Sequence, residues 1–196
     1  MLFLALARRI SIASAGICLY HAAHASSLHP SPQSAKPFST EAEACIIPAA
    51  QFHGVNYQVL RAILVSESSL KSRAISKNSN GTIDVGIGQT NRIHFKELGR
   101  YGIGPDQLLD ACVSTYVAAW QLRKHIASHG NTWEAIARYH SGTPAINRRY
   151  QVLIQNELVR SGAMEGSVQP LPSVPATSQI MQRAKPEQGV LIVDSQ

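Results

Sequence analysis

The chain has 196 residues, of which 44% are hydrophobic and 15% are charged. This composition is typical of a globular protein and excludes a chain that is disordered throughout. The length allows one domain with its own core and excludes two large domains. The formal net charge of +6 favours an acidic partner, such as nucleic acid, anionic lipid or another polyanion, without choosing among them.

The N-terminal segment resembles a secretory signal peptide. Arg8 and Arg9 precede an apolar stretch at 10–20, and an Ala-His-Ala sequence at 23–25 provides a cleavage site. We therefore expect residues 1–25 to be removed on export to the periplasm. An uncleaved membrane anchor is the alternative, although the apolar run is short for a membrane span.

Removal of that segment leaves two of the three cysteines, Cys45 and Cys112. Two cysteines in an oxidising compartment favour one disulfide. This bond would close a loop of about 67 residues and contribute on the order of 4 kcal/mol in the chain-entropy model. Two independent buried thiols are the alternative.

The central part of the chain has helical periodicity. Residues 26–39, rich in proline and serine, predict a flexible linker, so the folded domain should span 40–162. The apolar spacing and the capping residues predict helices at 45–52, 57–69, 92–98, 110–128, 133–140 and 144–160.

Two segments depart from the helical pattern. The polar stretch 71–84 contains an Asn-Ser-Asn-Gly turn sequence and ends in alternating residues, which allows a small β-hairpin. Residues 163–196 contain four prolines and no aromatic residue, which predicts a disordered tail. The fold is therefore predicted to be mainly α, as a single domain.

Glu67 has the strongest chemical signal in the sequence. It follows Val59 by eight residues and Ile63 by four, so it shares the apolar face of the second predicted helix. A carboxyl group among hydrophobic neighbours is costly to ionise, so its pKa should rise until it holds a proton near neutral pH. A general acid in sugar cleavage needs this property, and the polar, glycine-containing segment 84–91 is suited to line a carbohydrate cleft.

Three motifs in this order resemble the family-1 lytic transglycosylases. Residues 66–68 (Ser-Glu-Ser) match the Glu-Ser signature of that family. Residues 86–89 (Gly-Ile-Gly-Gln) stand where it usually has Gly-Leu-Met-Gln, and residues 137–142 stand near its Ala-Tyr-Asn-Ala-Gly motif. The resemblance covers residues 41–160 and is greatest to small exported members associated with conjugation, pilus and type III or IV secretion machineries.

The resemblance implies a goose-lysozyme-like α domain that cleaves the β-1,4 bond between N-acetylmuramic acid and N-acetylglucosamine in peptidoglycan. The muramyl C6 hydroxyl attacks its own C1, which gives a 1,6-anhydro sugar without water. Glu67 would protonate the leaving oxygen, and its carboxylate would then take the C6 proton. No cofactor is implied. The expected partners are glycan strands and components of a secretion, conjugation or pilus machine.

The neighbouring motif residues are expected to support Glu67 and the substrate. Ser68 would orient the carboxyl or simply satisfy its own helix, and Tyr139 would place its hydroxyl against Glu67 or pack in the core. Gln89 would bind an N-acetyl or hydroxyl group of the sugar. The predicted substrate-binding set is Ser68, Gly86, Gly88, Gln89, Tyr139 and His140.

Two of these positions depart from the family pattern. Gly88 stands where methionine is usual, which would remove an apolar wall and widen the sugar cleft. His140 stands where asparagine is usual, which would change how the sugar is held. Together with Gly86, Gly88 would also let the backbone approach the glycan closely.

Other functions remain as alternatives. Asp84 is the one candidate for a second carboxylate, and if it positioned a water the enzyme would be a hydrolytic, lysozyme-type muramidase; stabilisation of a turn is its other expected role. The second alternative is a non-enzymatic, peptidoglycan-binding scaffold of a secretion complex.

Metal and nucleic acid are not expected as ligands. His125 and His129 have a spacing that can bind zinc, but no third ligand is evident. No helix-turn-helix, zinc-finger or RNA-binding signature accompanies the basic charge. We expect a monomer that binds neither metal nor nucleic acid.

Overall fold

The structure of this protein is a computed structural model that describes residues 40–176. The predicted signal peptide (1–25), the predicted linker (26–39) and the last part of the predicted tail (177–196) lie outside the described residues. Within 40–176, none of the helices combines the length and the apolar character that crossing a membrane requires.

Helices make up most of the described chain. The main segments are α1 (Thr40–His53), α2 (Tyr57–Ser68), α3 (Phe95–Gly99), α4 (Ala111–His129), α5 (Trp133–Ala137) and α6 (Pro144–Arg160), with short 3-10 turns at Arg92–His94 and Gln107–Leu109. The prediction of a mainly α fold is confirmed. The first helix was predicted to begin at residue 45, but α1 begins at Thr40. Pro48 therefore lies inside the helix.

Capping side chains explain where the helices begin. The Asn56 side chain accepts hydrogen bonds from the backbone of Gln58 and Val59, at 2.9 and 3.1 Å. The Thr132 hydroxyl accepts one from the Ala135 backbone at 3.1 Å and starts α5. Such caps satisfy backbone N–H groups that have no partner inside the helix.

A three-stranded antiparallel sheet follows α2. It consists of β1 (Ile75–Lys77), β2 (Ile83–Val85) and β3 (Thr90–Asn91) in that order. The predicted hairpin is therefore present, with a third strand added to it. In register, Asp84 of β2 lies opposite Ser76 on one side and Asn91 on the other, so the central strand presents a carboxyl group between two polar neighbours.

The core is formed by helix packing. α1 packs against α4 and α2 against α6, and α2 contributes the fully buried side chains Leu60, Ile63 and Leu64. Burial of a side chain of this size contributes roughly 1.5–3 kcal/mol each. The helix that bears Glu67 is thus fixed by its own apolar face.

The predicted disulfide is present between α1 and α4. It joins Cys45 to Cys112, whose Cα atoms are 5.2 Å apart. The two cysteines are 67 residues apart in sequence. The bond therefore closes a loop that contains α2 and the sheet.

The segment after α6 differs from the predicted tail. The Asn156 side chain, 2% exposed, donates to the Gln169 carbonyl and accepts from the Gln169 N–H, both at 2.7 Å. Arg149 donates to the Pro172 carbonyl at 2.8 Å. The segment therefore runs back along α6, while the domain boundary at 162 stays a prediction. Periodicity did not reveal this, because the segment is neither helix nor strand.

Candidate active site

Glu67 lies in the last turn of α2, where the chain leaves the helix. Ser69 and Leu70 both have positive φ, 54° and 61°, which ends α2 just after Glu67. The Glu67 side chain is 13% exposed. Burial raises its pKa from 4.5 to about 7, with a smaller increase from the charge of Asp84. The sequence predicted this direction, and the carboxyl group is half protonated near neutral pH.

Tyr150 of α6 is the hydrogen-bond partner of Glu67. Its hydroxyl donates to Glu67 Oε1 at 2.6 Å, which lowers the Glu67 pKa and partly offsets the effect of burial. The Tyr150 side chain is buried, and burial together with Glu67 raises its own pKa, so the hydroxyl remains a donor. This tyrosine is not among the site residues predicted from the sequence.

A signal for Tyr150 was present in the sequence. Ile146, Tyr150, Ile154 and Leu158 follow one another at four-residue intervals and all are buried. A tyrosine on such an inward face needs a partner for its hydroxyl. Glu67 was the one acid predicted on a buried face, so the pair was within reach of sequence reasoning.

His140 lies close to the same carboxyl group. Its ring stacks on the Tyr150 ring, with centroids 4.7 Å apart and an interplanar angle of 2°. The Nδ1 atom is 3.8 Å from Glu67 Oε1, and the side chain is 44% exposed. That distance is too long for a hydrogen bond. Burial lowers the pKa of His140, so the imidazole is neutral at pH 7.

The loop that bears His140 is hydrogen-bonded to α6. The Asn147 side chain, 3% exposed, donates to the carbonyls of Glu134 and Ser141 at 3.0 and 2.9 Å. The Ser141 hydroxyl accepts from the Thr143 N–H at 3.1 Å. These bonds fix the backbone immediately after His140, so the imidazole position is set by the fold.

Tyr139 uses its hydroxyl for a bond other than the predicted one to Glu67. Its hydroxyl donates to the Gly88 carbonyl at 2.6 Å, and its ring packs against the main core clusters. Of the two predicted roles, core packing is the one that the structure has. Tyr139 thereby joins the loop after α5 to the glycine-containing loop between β2 and β3.

Ser68 also joins two segments and does not orient the carboxyl. Its hydroxyl donates to the Ile87 carbonyl at 2.8 Å and accepts from the Lys71 N–H at 3.2 Å. The predicted bond to Glu67 is therefore replaced by one to a residue that lies 19 positions later. Ser68 fixes the end of α2 against the glycine-containing loop.

A side chain at either of the two glycines of that loop would point into the protein interior. Both are buried. A Cβ atom at Gly86, where φ is 80°, would approach the Leu108 carbonyl oxygen and the Ser114 hydroxyl; one at Gly88 would lie 2.8 Å from Ala118 Cβ and 2.9 Å from the Tyr139 hydroxyl. Glycine at these positions permits close packing of the loop, and an effect of Gly88 on the width of the sugar cleft remains a proposal.

Gln89 follows in a left-handed conformation, with φ of 46°. Its Nε2 atom donates to the Gly86 carbonyl at 2.8 Å and, more weakly, to that of Ala74 at 3.3 Å. The side-chain donor is thus used within the loop. Its contact with a sugar remains a proposal.

Asp84 lies in a polar setting close to Glu67. Its Oδ2 accepts from Asn78 at 2.9 Å and its Oδ1 from Asn91 at 2.6 Å. Two amide donors stabilise the charged carboxylate. Its charge raises the pKa values of both Glu67 and Tyr139. The structure thus brings the second acid named from sequence near the first.

A metal site was sought among the described side chains. Within 40–176, no group of three or more His, Cys, Asp or Glu side chains is arranged to hold a metal ion. The groups that can do chemistry here are the Glu67 carboxyl, the Asp84 carboxylate, the Tyr150 hydroxyl and the His140 imidazole.

A comparison with known protein families identifies the family of this chain. The model of the transglycosylase SLT domain matches residues 44–152. The chain belongs to this family. The matched range includes every residue of the arrangement from Glu67 to Tyr150, and it ends before the segment that runs back along α6. SLT domains have a lysozyme-like fold, in agreement with the fold expected from the motifs.

Curated proteins from enteric bacteria are also similar to this SLT-domain chain. The invasion protein IagB of Salmonella typhimurium is 36% identical over 111 residues, which covers 54% of this chain and 69% of IagB. The X polypeptide of Escherichia coli is 34% identical over 112 residues, covering 57% of this chain and 66% of that protein. A peptidoglycan-binding-like protein of Escherichia coli O157:H7 is 29% identical over 119 residues, covering 57% of this chain and 71% of its own length. The chain is therefore a lytic transglycosylase that acts on peptidoglycan.

Proposed function

We propose that this protein cleaves the β-1,4 bond between N-acetylmuramic acid and N-acetylglucosamine without water, and that Glu67 is its acid and base. The observation that supports this assignment is the buried Glu67 carboxyl, whose pKa is raised to about 7 and which lies 3.8 Å from the partly exposed His140. A group with this pKa is present in both protonation states near neutral pH, which a residue that first donates and then accepts a proton requires.

Tyr150 determines which oxygen of Glu67 acts. Since the Tyr150 hydroxyl donates to Oε1, the acidic proton is carried by Oε2, which is left for the glycosidic oxygen. After the bond breaks, the same hydroxyl stabilises the carboxylate. General acid–base catalysis of this kind contributes about 10²–10⁴-fold to the rate.

Asp84 supplies a fixed negative charge. The sugar develops positive charge at C1 in the oxocarbenium-like transition state, and a nearby carboxylate held by two amides stabilises that charge without rearrangement. Because each Asp84 oxygen already accepts a bond from an asparagine, we assign it this electrostatic role and leave the C6 hydroxyl as the nucleophile.

The hydrolytic alternative follows from the same pair of acids. Retaining and inverting glycosidases both use two carboxyl groups, and Asp84 acts electrostatically on Glu67. In that case water would replace the C6 hydroxyl, and the product would carry a reducing N-acetylmuramic acid end.

The products separate these reactions. We expect purified protein to release muropeptides with 1,6-anhydro ends from purified sacculi. Mass spectrometry detects these products because each is lighter than the hydrolytic product by one water, about 18 Da. Reducing-end products alone would assign the enzyme to the lysozyme class. Binding to sacculi with no released product would favour a scaffold that binds peptidoglycan without cleaving it.

We also propose that the protein is exported to the periplasm and acts as a monomer that opens the wall locally for a secretion, conjugation or pilus apparatus. Its similarity to a protein named invasion protein and its signal-like N-terminus support this role. We expect the full chain, tagged at its C-terminus, to be recovered from the periplasmic fraction of a Gram-negative host with a new N-terminus at Ser26. Recovery from the cytoplasm with residues 1–25 intact would contradict export.

A further inference from the structure

Three aromatic rings lie together at the end of α1, apart from the catalytic residues. Phe52 and His53 belong to α1 and Tyr116 to α4, and we name them the ring surface. We propose that the ring surface is a second binding site for the glycan strands of peptidoglycan, at which a sugar ring stacks on Phe52. The inference rests on peptidoglycan as the substrate in the proposed function. It goes beyond that function, which gives these residues no role.

Phe52 is the centre of the ring surface and is open to solvent. The residue is 76% exposed, although burial of a phenylalanine side chain favours folding. Its ring centroid lies 4.9 Å from that of His53 and 5.8 Å from that of Tyr116, with interplanar angles of 81° and 58°. Neither neighbour stacks flat on Phe52. The ring is therefore held in place while most of its surface stays accessible.

The surroundings of Phe52 are polar but uncharged. Residues 44–60 contain no Asp, Glu, Lys or Arg, in a chain with a net charge of +6. Burial lowers the pKa of His53 below its ordinary 6.5, so its imidazole is neutral at pH 7. Gln51 adjoins Phe52 in α1, and the half-exposed Tyr57 begins α2. An accessible ring with neutral amide and hydroxyl groups nearby in the chain suits an uncharged sugar, whereas an anionic polymer would need cations.

The ring surface is separate from the site of bond cleavage. After α1 the chain turns at Gly54, where φ is 64°, and enters α2. Glu67 lies at the far end of α2, whose twelve residues rise about 18 Å. The wall is a polymer that presents many sugar units near any point of cleavage. Binding at a second point therefore raises the effective concentration of glycan at Glu67.

An apolar segment of a partner protein is the alternative occupant. It would use the exposed Ile47, which precedes Phe52 by five residues on α1. Such a segment needs hydrophobic area, which leucine at position 52 would still supply. A sugar that stacks needs the flat face of an aromatic ring, which leucine lacks. The choice of substitution at position 52 therefore distinguishes the two occupants.

The binding test uses the Glu67→Gln background, in which the glycan stays intact. We expect Phe52→Ala and Phe52→Leu to weaken co-sedimentation with purified sacculi by about 3- to 10-fold in Kd, and Phe52→Trp to bind at least as tightly as the background. Tyr101→Ala removes an aromatic residue that is 72% exposed, in the turn after α3, and should bind like the background. Peptide-free glycan strands should give the same order of affinities.

Kinetics with Glu67 intact give a second measurement. On sacculi, Phe52→Ala should raise KM by about 3- to 10-fold and leave kcat unchanged. On a short soluble glycan that cannot reach both sites, its kcat/KM should equal that of wild type. A thermal melt of each variant checks that it is folded, and the exposure of Phe52 favours an unchanged melting temperature.

Three results would overturn the proposal. They are unchanged binding by Phe52→Ala, full binding by Phe52→Leu, which would indicate a surface that docks a protein, and an equal loss of turnover on the short glycan. The product assay tests the lyase separately. Reducing-end products from wild type would reject the lyase, whereas weaker binding by both Phe52→Ala and Phe52→Leu would still support the ring surface.

Discussion

Glu67 and Asp84 are two carboxyl groups of one site in opposite environments. Glu67 ends a helix, is 13% exposed and accepts a hydrogen bond from a single tyrosine hydroxyl. Asp84 lies in the central strand of a small sheet and accepts bonds from two asparagine amides. Burial keeps a proton on the first, and amide donors favour the charge on the second. The environment, rather than the residue type, assigns acid and anion.

The two environments also have different consequences for the stability of the fold and for the catalytic rate. Burial of an ionisable group costs free energy whenever the group is charged. Glu67 therefore makes the folded state less stable at high pH, while the Asp84 carboxylate contributes its bonds to the sheet. Changes at these two positions should act in opposite directions on stability but in the same direction on rate.

The largest expected effect is on catalysis at Glu67. Glu67→Gln preserves the shape and removes the acidic proton, so we expect kcat to fall by at least about 10³-fold. Release of anhydro-muropeptides measures the loss. Glu41→Gln, at an exposed position in the first turn of α1, is the matched control and should retain the wild-type rate. Undiminished cleavage by Glu67→Gln would contradict the assignment of the acid.

The second effect is on stability at the same residue. The folded-state pKa of about 7 lies above the ordinary 4.5, so the carboxyl contributes most to stability below pH 4.5 and loses that contribution as the pH rises through 7. The change is on the order of 3 kcal/mol. Glu67→Gln should therefore gain about 3 kcal/mol relative to wild type between pH 4 and pH 8, measured by urea unfolding. A constant difference across that range would contradict a raised pKa.

The third effect concerns Asp84. Asp84→Asn removes the negative charge, so we expect kcat to fall by about 10- to 100-fold, less than for Glu67→Gln. Because Glu67 must be protonated to act as the acid, kcat/KM should fall as the pH rises above about 7, and we call this fall the basic limb of the pH profile. The charge of Asp84 raises the Glu67 pKa, so in Asp84→Asn the basic limb should also move to lower pH. Asp106→Asn, at an exposed position before a 3-10 turn, should change neither. A larger loss at Asp84 than at Glu67 would reverse the two roles.

The smallest effect separates the two tyrosines. The Tyr150 hydroxyl lowers the Glu67 pKa, so Tyr150→Phe should move the basic limb above 7. Tyr139→Phe removes a hydroxyl that bonds to the Gly88 carbonyl, which should reduce activity through the loop and leave that limb in place. Equal shifts in the two variants would show that the hydroxyl bond to Glu67 is not what sets its pKa.

Local signals in the sequence were sufficient for the helices and for Glu67. Apolar spacing placed Glu67 on the inward face of α2, and Asn56 and Thr132 predicted the starts of α2 and α5. These inferences depend on neighbours within about one or two helical turns. The mainly α fold was predictable for the same reason, whereas the disulfide followed from the number of cysteines and the expected oxidising compartment.

Contacts between distant segments were not predictable in this way. The Ser68 hydroxyl could have bonded to Glu67 or to another segment, and only the fold brings Ile87 within reach. The glycine at 88 indicates that a side chain is absent but not that Ala118 and Tyr139 occupy the space. The segment after α6 has no periodicity, so the hydrogen bonds between Gln169 and Asn156 could not be predicted from the sequence pattern.

The most direct test of the central claim is the titration of the Glu67 carboxyl by ¹³C NMR, with its signal assigned by its absence in Glu67→Gln. We predict a midpoint of about 7. A midpoint near the ordinary value of 4.5 would leave Glu67 ionised at neutral pH and would contradict its role as the acid.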